Sequence, residues 1–134
     1  MAIVARALKG LLGTPATISE ELLSAFPELA AIRLRRGGFP TRLGGWCLGQ
    51  RCVAGITIGR WVWLDREAPA TAELLLHELR HVHQFQVLRA FPLRYVWESL
   101  RRGYLHNRFE VDARQYAAAR LSGAARGPTP RQEG

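Results

Sequence analysis

Lysine is nearly missing from this chain: Lys9 is the only one among nineteen Lys and Arg residues. The basic charge is therefore carried by arginine, and the formal net charge is +8. A bias of this strength reads first as the codon usage of a GC-rich genome. Its functional reading is an affinity for nucleic acid, an acidic protein or a lipid surface. The arginines are scattered, with small groups at Arg33, Arg35 and Arg36 and at Arg101 and Arg102. No RNA-binding fingerprint and no helix-turn-helix pattern accompanies them, so a nucleic-acid partner has no motif behind it.

Cysteine is scarce as well. Cys47 and Cys52 flank Leu-Gly-Gln-Arg and could face each other across a hairpin. One pair at this spacing is a weak zinc signal, and the favoured reading is a reduced, partly buried pair in a cytosolic protein. Long apolar runs are also lacking. Arg6 and Lys9 interrupt the apolar residues from Met1 to Leu12, which excludes the continuous stretch of a signal peptide. No run approaches the length of a membrane span. The expected compartment is the cytoplasm, with a short N-terminal amphipathic helix that could touch a surface.

What the chain does have is core material: 48% of its 134 residues are apolar. That suffices for one compact domain without disulfide staples, and the length is too short for two. The expected domain spans 1–122, followed by a disordered tail over 123–134 that is rich in Gly, Pro, Arg and Ala.

Local signals place the elements. Residues 2–12 suit a short amphipathic helix ended by Gly13 and Pro15. Ser19 is a fair N-cap for a helix over 20–25, stopped near Pro27. A strand is expected over 31–35, then a loop through Gly37, Gly38, Pro40, Gly44 and Gly45. Strands over 53–58 and 61–65 are joined by Gly59 and Arg60, a two-residue connection with the chemistry of a type II′ turn. Pro69 fits the first turn of a helix running to about Arg89. Further helices are expected over 93–102, stopped by Gly103, and from about Asn107 to Leu121.

The first of these C-terminal helices contains His77-Glu78-Leu79-Arg80-His81. Helical positions four apart point within about 40° of each other, so His77 and His81 can hold one metal ion. Glu78 sits beside them, where it can take a proton from an activated water. Leu74, Leu75, Leu76, Leu79, Val82 and Phe85 go almost all round the helix, which makes it a buried one. Two histidines and a glutamate are costly there unless something satisfies them. A metal does so better than a hydrogen-bonded core pair. His83 points to the other side, towards a surface or hydrogen-bonded role.

A zinc site needs a third protein ligand, and His106, Glu110 and Asp112 are the candidates downstream. Ala113, Ala117 and Leu121 share the face of Glu110, a small apolar face suited to close packing on the metal helix. Asp112 falls on the polar side with Arg108, Gln115 and Ala119. Glu110 is therefore favoured as the ligand, against the alternative of a salt bridge to Arg114. Tyr104, His106, Arg114 and Tyr116 could stabilise a developing oxyanion; Tyr104 and His106 rank first because they precede the ligand helix. Trp61 and Trp63 share one face of their strand and could line a cleft, with core packing the preferred role.

The pattern His77-Glu78-x-x-His81 followed by Glu110-x-x-Ala113 resembles the gluzincin arrangement of zinc peptidases. The phrase HELRHVHQF resembles the HELxHVxQ helix of small bacterial metallopeptidase-like domains. The segment Glu110-Val-Asp-Ala113-x-x-Tyr116-Ala117 is similar to the ExxAxxFA segment of ImmA/IrrE-type regulatory peptidases. It is less like the CAAX-type proteases, whose ExxAD motif has an acid where this chain has Arg114. The resemblance covers about 70–121. It implies an α+β fold, a minimal zincin-like domain. In that fold a small antiparallel or mixed sheet packs on the HExxH helix and a C-terminal ligand helix. It also implies Zn2+ held by His77, His81 and Glu110. No substrate class carries over with it, and a protein or peptide substrate is the expectation of the peptidase reading itself. The expected function is thus a zinc-dependent peptidase with Glu78 as general base. The alternatives are a non-catalytic, zinc-stabilised basic module for nucleic acid or an acidic protein, and a subunit active only within a larger assembly.

Overall fold

The computed structural model of the protein describes residues 1–41 and 54–126. In chain order its elements are α1 (Ala2–Leu12), β1 (Thr14–Pro15), α2 (Glu20–Ala25), a 3-10 turn (Pro27–Ala31), β2 (Arg33–Arg36), β3 (Gly55–Ile58), β4 (Trp61–Leu64), α3 (Ala72–Val87), α4 (Phe91–His106) and α5 (Arg108–Ala125). The expected α+β class is what is observed: helices packed with a small four-stranded mixed sheet of order β1-β2-β4-β3.

The sheet is organised by the hairpin. Gly59 adopts φ 64°, a left-handed conformation that glycine takes without a Cβ clash, and it closes the two-residue turn that pairs Ile58 with Trp61. β4 then pairs with β3 on one side in antiparallel fashion and with β2 on the other in parallel fashion. Side chains alternate along β4. Val62 and Leu64 face the core with Leu34, where they meet Leu75, Leu76, Leu79 and Val82 of α3. Phe26, Leu29 and Ile32 close the same cluster. Leu75, Leu76, Leu79 and Val82 are fully buried. Each contributes about 1.5–3 kcal/mol of apolar burial, so α3 is fixed by its leucines, and its polar residues are carried where the leucines put them.

The opposite sheet face meets the C-terminal end of α1. Trp63 Nε1 and Arg35 Nε both donate to the Leu12 carbonyl, at 2.9 and 2.7 Å, and Arg35 also donates to the Gly13 carbonyl. These donors satisfy C-terminal carbonyls of α1 that have no partner within the helix. Trp63 is buried as expected, whereas Trp61 is 38% exposed, with Arg33 and Arg35 over its ring. Both tryptophans lie on the face turned away from α3, so neither lines a cleft at the histidines.

Element ends differ from expectation where caps decide them. α3 starts at Ala72 rather than at Pro69, because the Thr71 hydroxyl accepts from the Leu74 amide. β2 begins two residues late because 27–31 wind into the 3-10 turn. α4 begins at Phe91 with Pro92 in its first turn, and Gly103 (φ 73°) breaks the helical geometry at the expected stop before one more turn reaches His106. α5 continues to Ala125, so 123–125 are helical rather than tail. Cys47, Cys52, Val53, Gly44, Gly45 and the tail from 127 onward lie outside the described residues.

Candidate metal centre

α3 and α5 pack side by side. Ala113 and Ala117 of α5 are fully buried or nearly so. With methyl groups as the α5 side chains at these two buried positions, α5 approaches closely enough for Glu110 to reach the histidines. The start of α5 is fixed by Asn107, itself fully buried. Its Oδ1 accepts from the Phe109 amide, while its Nδ2 donates to the Tyr95 carbonyl and to Ser99 Oγ on α4. One residue thus caps α5 and ties it to α4.

The structure brings His77, His81 and Glu110 together as a group of metal-ligating type. His77 Nε2 lies 2.9 Å from Glu110 Oε2, His81 Nε2 lies 3.2 Å from Glu110 Oε1, and the two Nε2 atoms are 3.2 Å apart. Four-coordinate zinc with ligand bonds of about 2.0–2.1 Å separates neighbouring ligand atoms by about 3.3 Å. The donor set and these spacings therefore fit zinc. His81 Nδ1 sits 2.7 Å from Gln84 Oε1, an acceptor, which places a ring proton on Nδ1 and makes Nε2 the nitrogen that faces the group. His77 is the most open of the three, its side chain 15% exposed against 8% and 4% for His81 and Glu110. Access from solvent is on its side.

The electrostatics favour a cation at this point. Burial, the largest influence on His81, works against a charged ring. The hydrogen bond to Glu110, the charges of Glu78 and Glu110 and the contact with Gln84 outweigh it, and the pKa is pushed up to about 9. Burial would likewise raise Glu110, but hydrogen bonds from His77, His81 and Tyr95 hold it well below the usual carboxylate range. A deeply buried carboxylate that stays ionised demands a counter-charge, and the two rings converge where it would sit.

Glu78 is buried beside the triad, and its partner comes from the sheet. Thr57 Oγ1 on β3 donates to Glu78 Oε2 at 2.7 Å. Gly55, two residues earlier on the same strand, faces the same carboxylate: a Cβ there would stand 2.9 Å from Glu78 Oε1. Neither residue was singled out from the sequence. The period-2 alternation of the hairpin strand would have put both on one face, but which face meets α3 is a tertiary fact.

Tyr95 is not among the residues that the sequence pattern singles out. From the inner side of α4 its hydroxyl donates to Glu110 Oε1 at 2.6 Å, and its ring meets His81 edge-on. Burial first, then the Glu110 carboxylate, raise its pKa, so the phenol keeps its proton. The signal available was its position four residues after Phe91, on the buried line of α4. Tyr104, ranked first from the sequence, is half-buried, and burial followed by the Glu110 and Glu78 charges raises its pKa too. It stands in the field of the site. His106 does not: it is exposed, in the turn beyond the Gly103 break, with no hydrogen bond or ion pair to the triad among the described contacts. The segment is a further helical turn rather than a loop passing the site.

The remaining candidates face elsewhere. Asp112 is outside the triad, but its side chain does not face away from the histidine helix as the polar-side reading had it: Arg80 of α3 donates to it at 2.7 and 3.3 Å. Gln84 Nε2 also donates to Asp112, at 2.9 Å. Arg114 is exposed and donates to the Leu105 carbonyl instead of pairing with Glu110. Tyr116 packs against His83 and Arg80, away from the triad. His83 points away from His77, His81 and Glu110 as expected, and burial, then Arg80, lower its pKa.

Against known proteins, the chain matches no protein-family model, no curated protein and no solved structure.

Proposed function

We propose that this chain is a zinc-dependent peptidase of gluzincin type, built as a minimal zincin-like domain and acting on a protein or peptide. The observation that carries the proposal is the convergence of His77, His81 and Glu110, with Glu78 held beside them by Thr57. The proposed compartment is the cytoplasm.

Zinc, when bound by His77, His81 and Glu110, supplies a Lewis acid that lowers the pKa of a water and polarises a carbonyl. The chain's own residues do the rest. Glu78 accepts the proton of the attacking water and passes it to the leaving amine. Thr57 fixes one carboxylate oxygen and leaves Oε1 for that proton. Tyr95 holds Glu110 in orientation, and Tyr104 offers a neutral phenol to the developing oxyanion. β3 ends the sheet order among the described residues, so an extended peptide can pair with its free edge next to Glu78. A zinc site used only for structure would have no need of a buried carboxylate positioned by a strand hydroxyl, which favours the peptidase over a non-catalytic basic module.

Metal analysis tests the proposal. The purified protein is expected to hold one zinc per chain, and His77→Ala or His81→Ala to abolish it. Glu78→Gln should keep the metal and lose hydrolysis of a fluorogenic peptide library. Zinc retained in full by both histidine variants would remove the site, and undiminished cleavage by Glu78→Gln would remove the mechanism.

A further inference from the structure

α4 has two unlike faces. Helical geometry places Phe91, Tyr95 and Glu98 on one line and Leu93, Val96, Trp97 and Leu100 on the opposite one, at about 100° per residue. The first line is turned inward: Phe91 and Glu98 are buried, and Tyr95 reaches Glu110. The second is open to solvent, with Leu93 74%, Val96 54%, Trp97 60% and Leu100 77% exposed. A line of four large apolar side chains over two turns is beyond the scattered apolar exposure of a monomer surface.

The charges around this line all have one sign. Arg94 and Arg101, seven residues apart, run along one border and form no ion pair among the described residues. The helix's one acid, Glu98, is turned inward, where Arg102 and Arg108 lie 3.5 and 3.8 Å from it. Arg94 also lines a cleft of about 560 Å³ between α3 and the starts of α4 and α5. Arg80 and Arg108 share that cleft, with Val87, Leu88 and Phe109 as its apolar wall. Its one carboxylate, Asp112, is already engaged by Arg80. The surface therefore passes without a break from a cationic cleft, through Arg94, to an apolar line.

We infer that this face binds an anionic lipid surface: Leu93, Val96, Trp97 and Leu100 enter the interface, and Arg94, with the cleft beside it, takes a headgroup phosphate. A helix with arginines on its border and Trp and Leu on its face is the composition that lies in a bilayer interface. The arginine stems also let their charges reach the phosphate level while the apolar line is buried. The acidic-protein alternative accounts for the charge but not for an apolar line this long bordered by a cationic cleft. The docked helix would hold the lipid surface on the far side of the same element that presents Tyr95 to Glu110. Substrate segments lying close to a membrane would then be within reach of the site.

The test is co-sedimentation of the full chain with vesicles of phosphatidylcholine alone or mixed with phosphatidylglycerol, with and without zinc. Binding is expected to the anionic vesicles and at least tenfold weaker to the neutral ones. Arg94→Gln should weaken it about fivefold, the value of one interfacial arginine. The triple variant Leu93→Ser, Trp97→Ser, Leu100→Ser should lose it, with an unchanged circular dichroism spectrum because all three side chains are exposed. No binding to anionic vesicles would overturn the inference. So would undiminished binding by the triple variant, which would move the contact to another surface, α1 first. Displacement from the vesicles by inorganic phosphate would reduce the face to a free-anion site. Capture on polyglutamate without vesicle binding would assign it to an acidic protein. None of these outcomes depends on the peptidase proposal, since binding is also read on the metal-free chain.

Discussion

Gln84 accepts the Nδ1 proton of His81 at 2.7 Å from one turn further along the same helix. Its amide nitrogen donates to the Phe109 carbonyl and to Asp112 on α5. Gln84 is therefore the joint between the histidine pair and the helix that carries Glu110, and Arg80 secures the far end through Asp112.

From this joint comes a graded expectation for zinc affinity. Gln84→Ala and Asp112→Asn should each weaken zinc binding about 10-fold to 100-fold, the range for residues that orient a ligand. Glu110→Gln should weaken it far more. Competition of each variant against a zinc chelator measures all three; equal losses for Asp112→Asn and Glu110→Gln would show that the joint does not separate ligand from support.

Gly55 stands against the Glu78 carboxylate, the base of the proposed mechanism. A methyl group there would meet Glu78 Oε1 at 2.9 Å and Leu64 at 3.2 Å. The carboxylate is the end of a flexible side chain, so it yields before the backbone does. Gly55→Ala should keep fold and zinc but cut hydrolysis about 100-fold, the cost of an ångström-scale misplacement of a reacting group. Peptide cleavage and metal content read side by side decide it, and full activity in this variant would sink the idea.

Zinc affinity should rise with pH. Only the neutral imidazole binds metal, and in the metal-free chain His81 holds its proton up to about pH 9. Each zinc bound below that pH must release this proton, so the apparent affinity should increase about tenfold per pH unit and level off near pH 9. The same proton has a folding consequence. With the folded pKa raised above the ordinary value of 6.5, its contribution to stability is complete below pH 6.5 and is lost as pH climbs through 9. Calorimetric titration across this window, and melting of the metal-free protein, would expose a flat profile if the assignment were wrong.

The α3–α5 contact should be intolerant of bulk. Ala113→Leu inserts three carbons into a fully buried position. Overpacking of this kind costs about 1–3 kcal/mol, and it should also push Glu110 away from the histidines. A lowered melting temperature together with reduced zinc affinity is expected. Ala119→Leu, on the exposed side of α5, should change neither.

Much of the site is a property of local chain geometry. The side-by-side projection of His77 and His81 follows from a four-residue spacing in any α-helix, and the separation of Glu110 from Asp112 follows from a two-residue spacing. The apolar residues round α3 announce its burial, Gly59 announces the hairpin, and the alanines on the Glu110 face announce a close helix neighbour. These are short-range regularities of period 2 or 3.6, and they can be read in sequence order.

Tyr95, Thr57, Gly55 and the double role of Gln84 belong to a different kind of fact. Each depends on which faces of separate elements meet, and that is settled by long-range packing of Leu75, Leu79 and Val62 in the core and by Asn107 joining α4 to α5. His106 shows the same dependence from the other direction. It precedes the ligand helix closely in the chain, yet it lies in the turn past Gly103 and ends in solvent. Proximity along the chain constrains where a residue can be within a few ångströms per residue. Only the packing of α3 on the sheet, and of α4 and α5 on α3 and on each other, decides which side chains face the histidines.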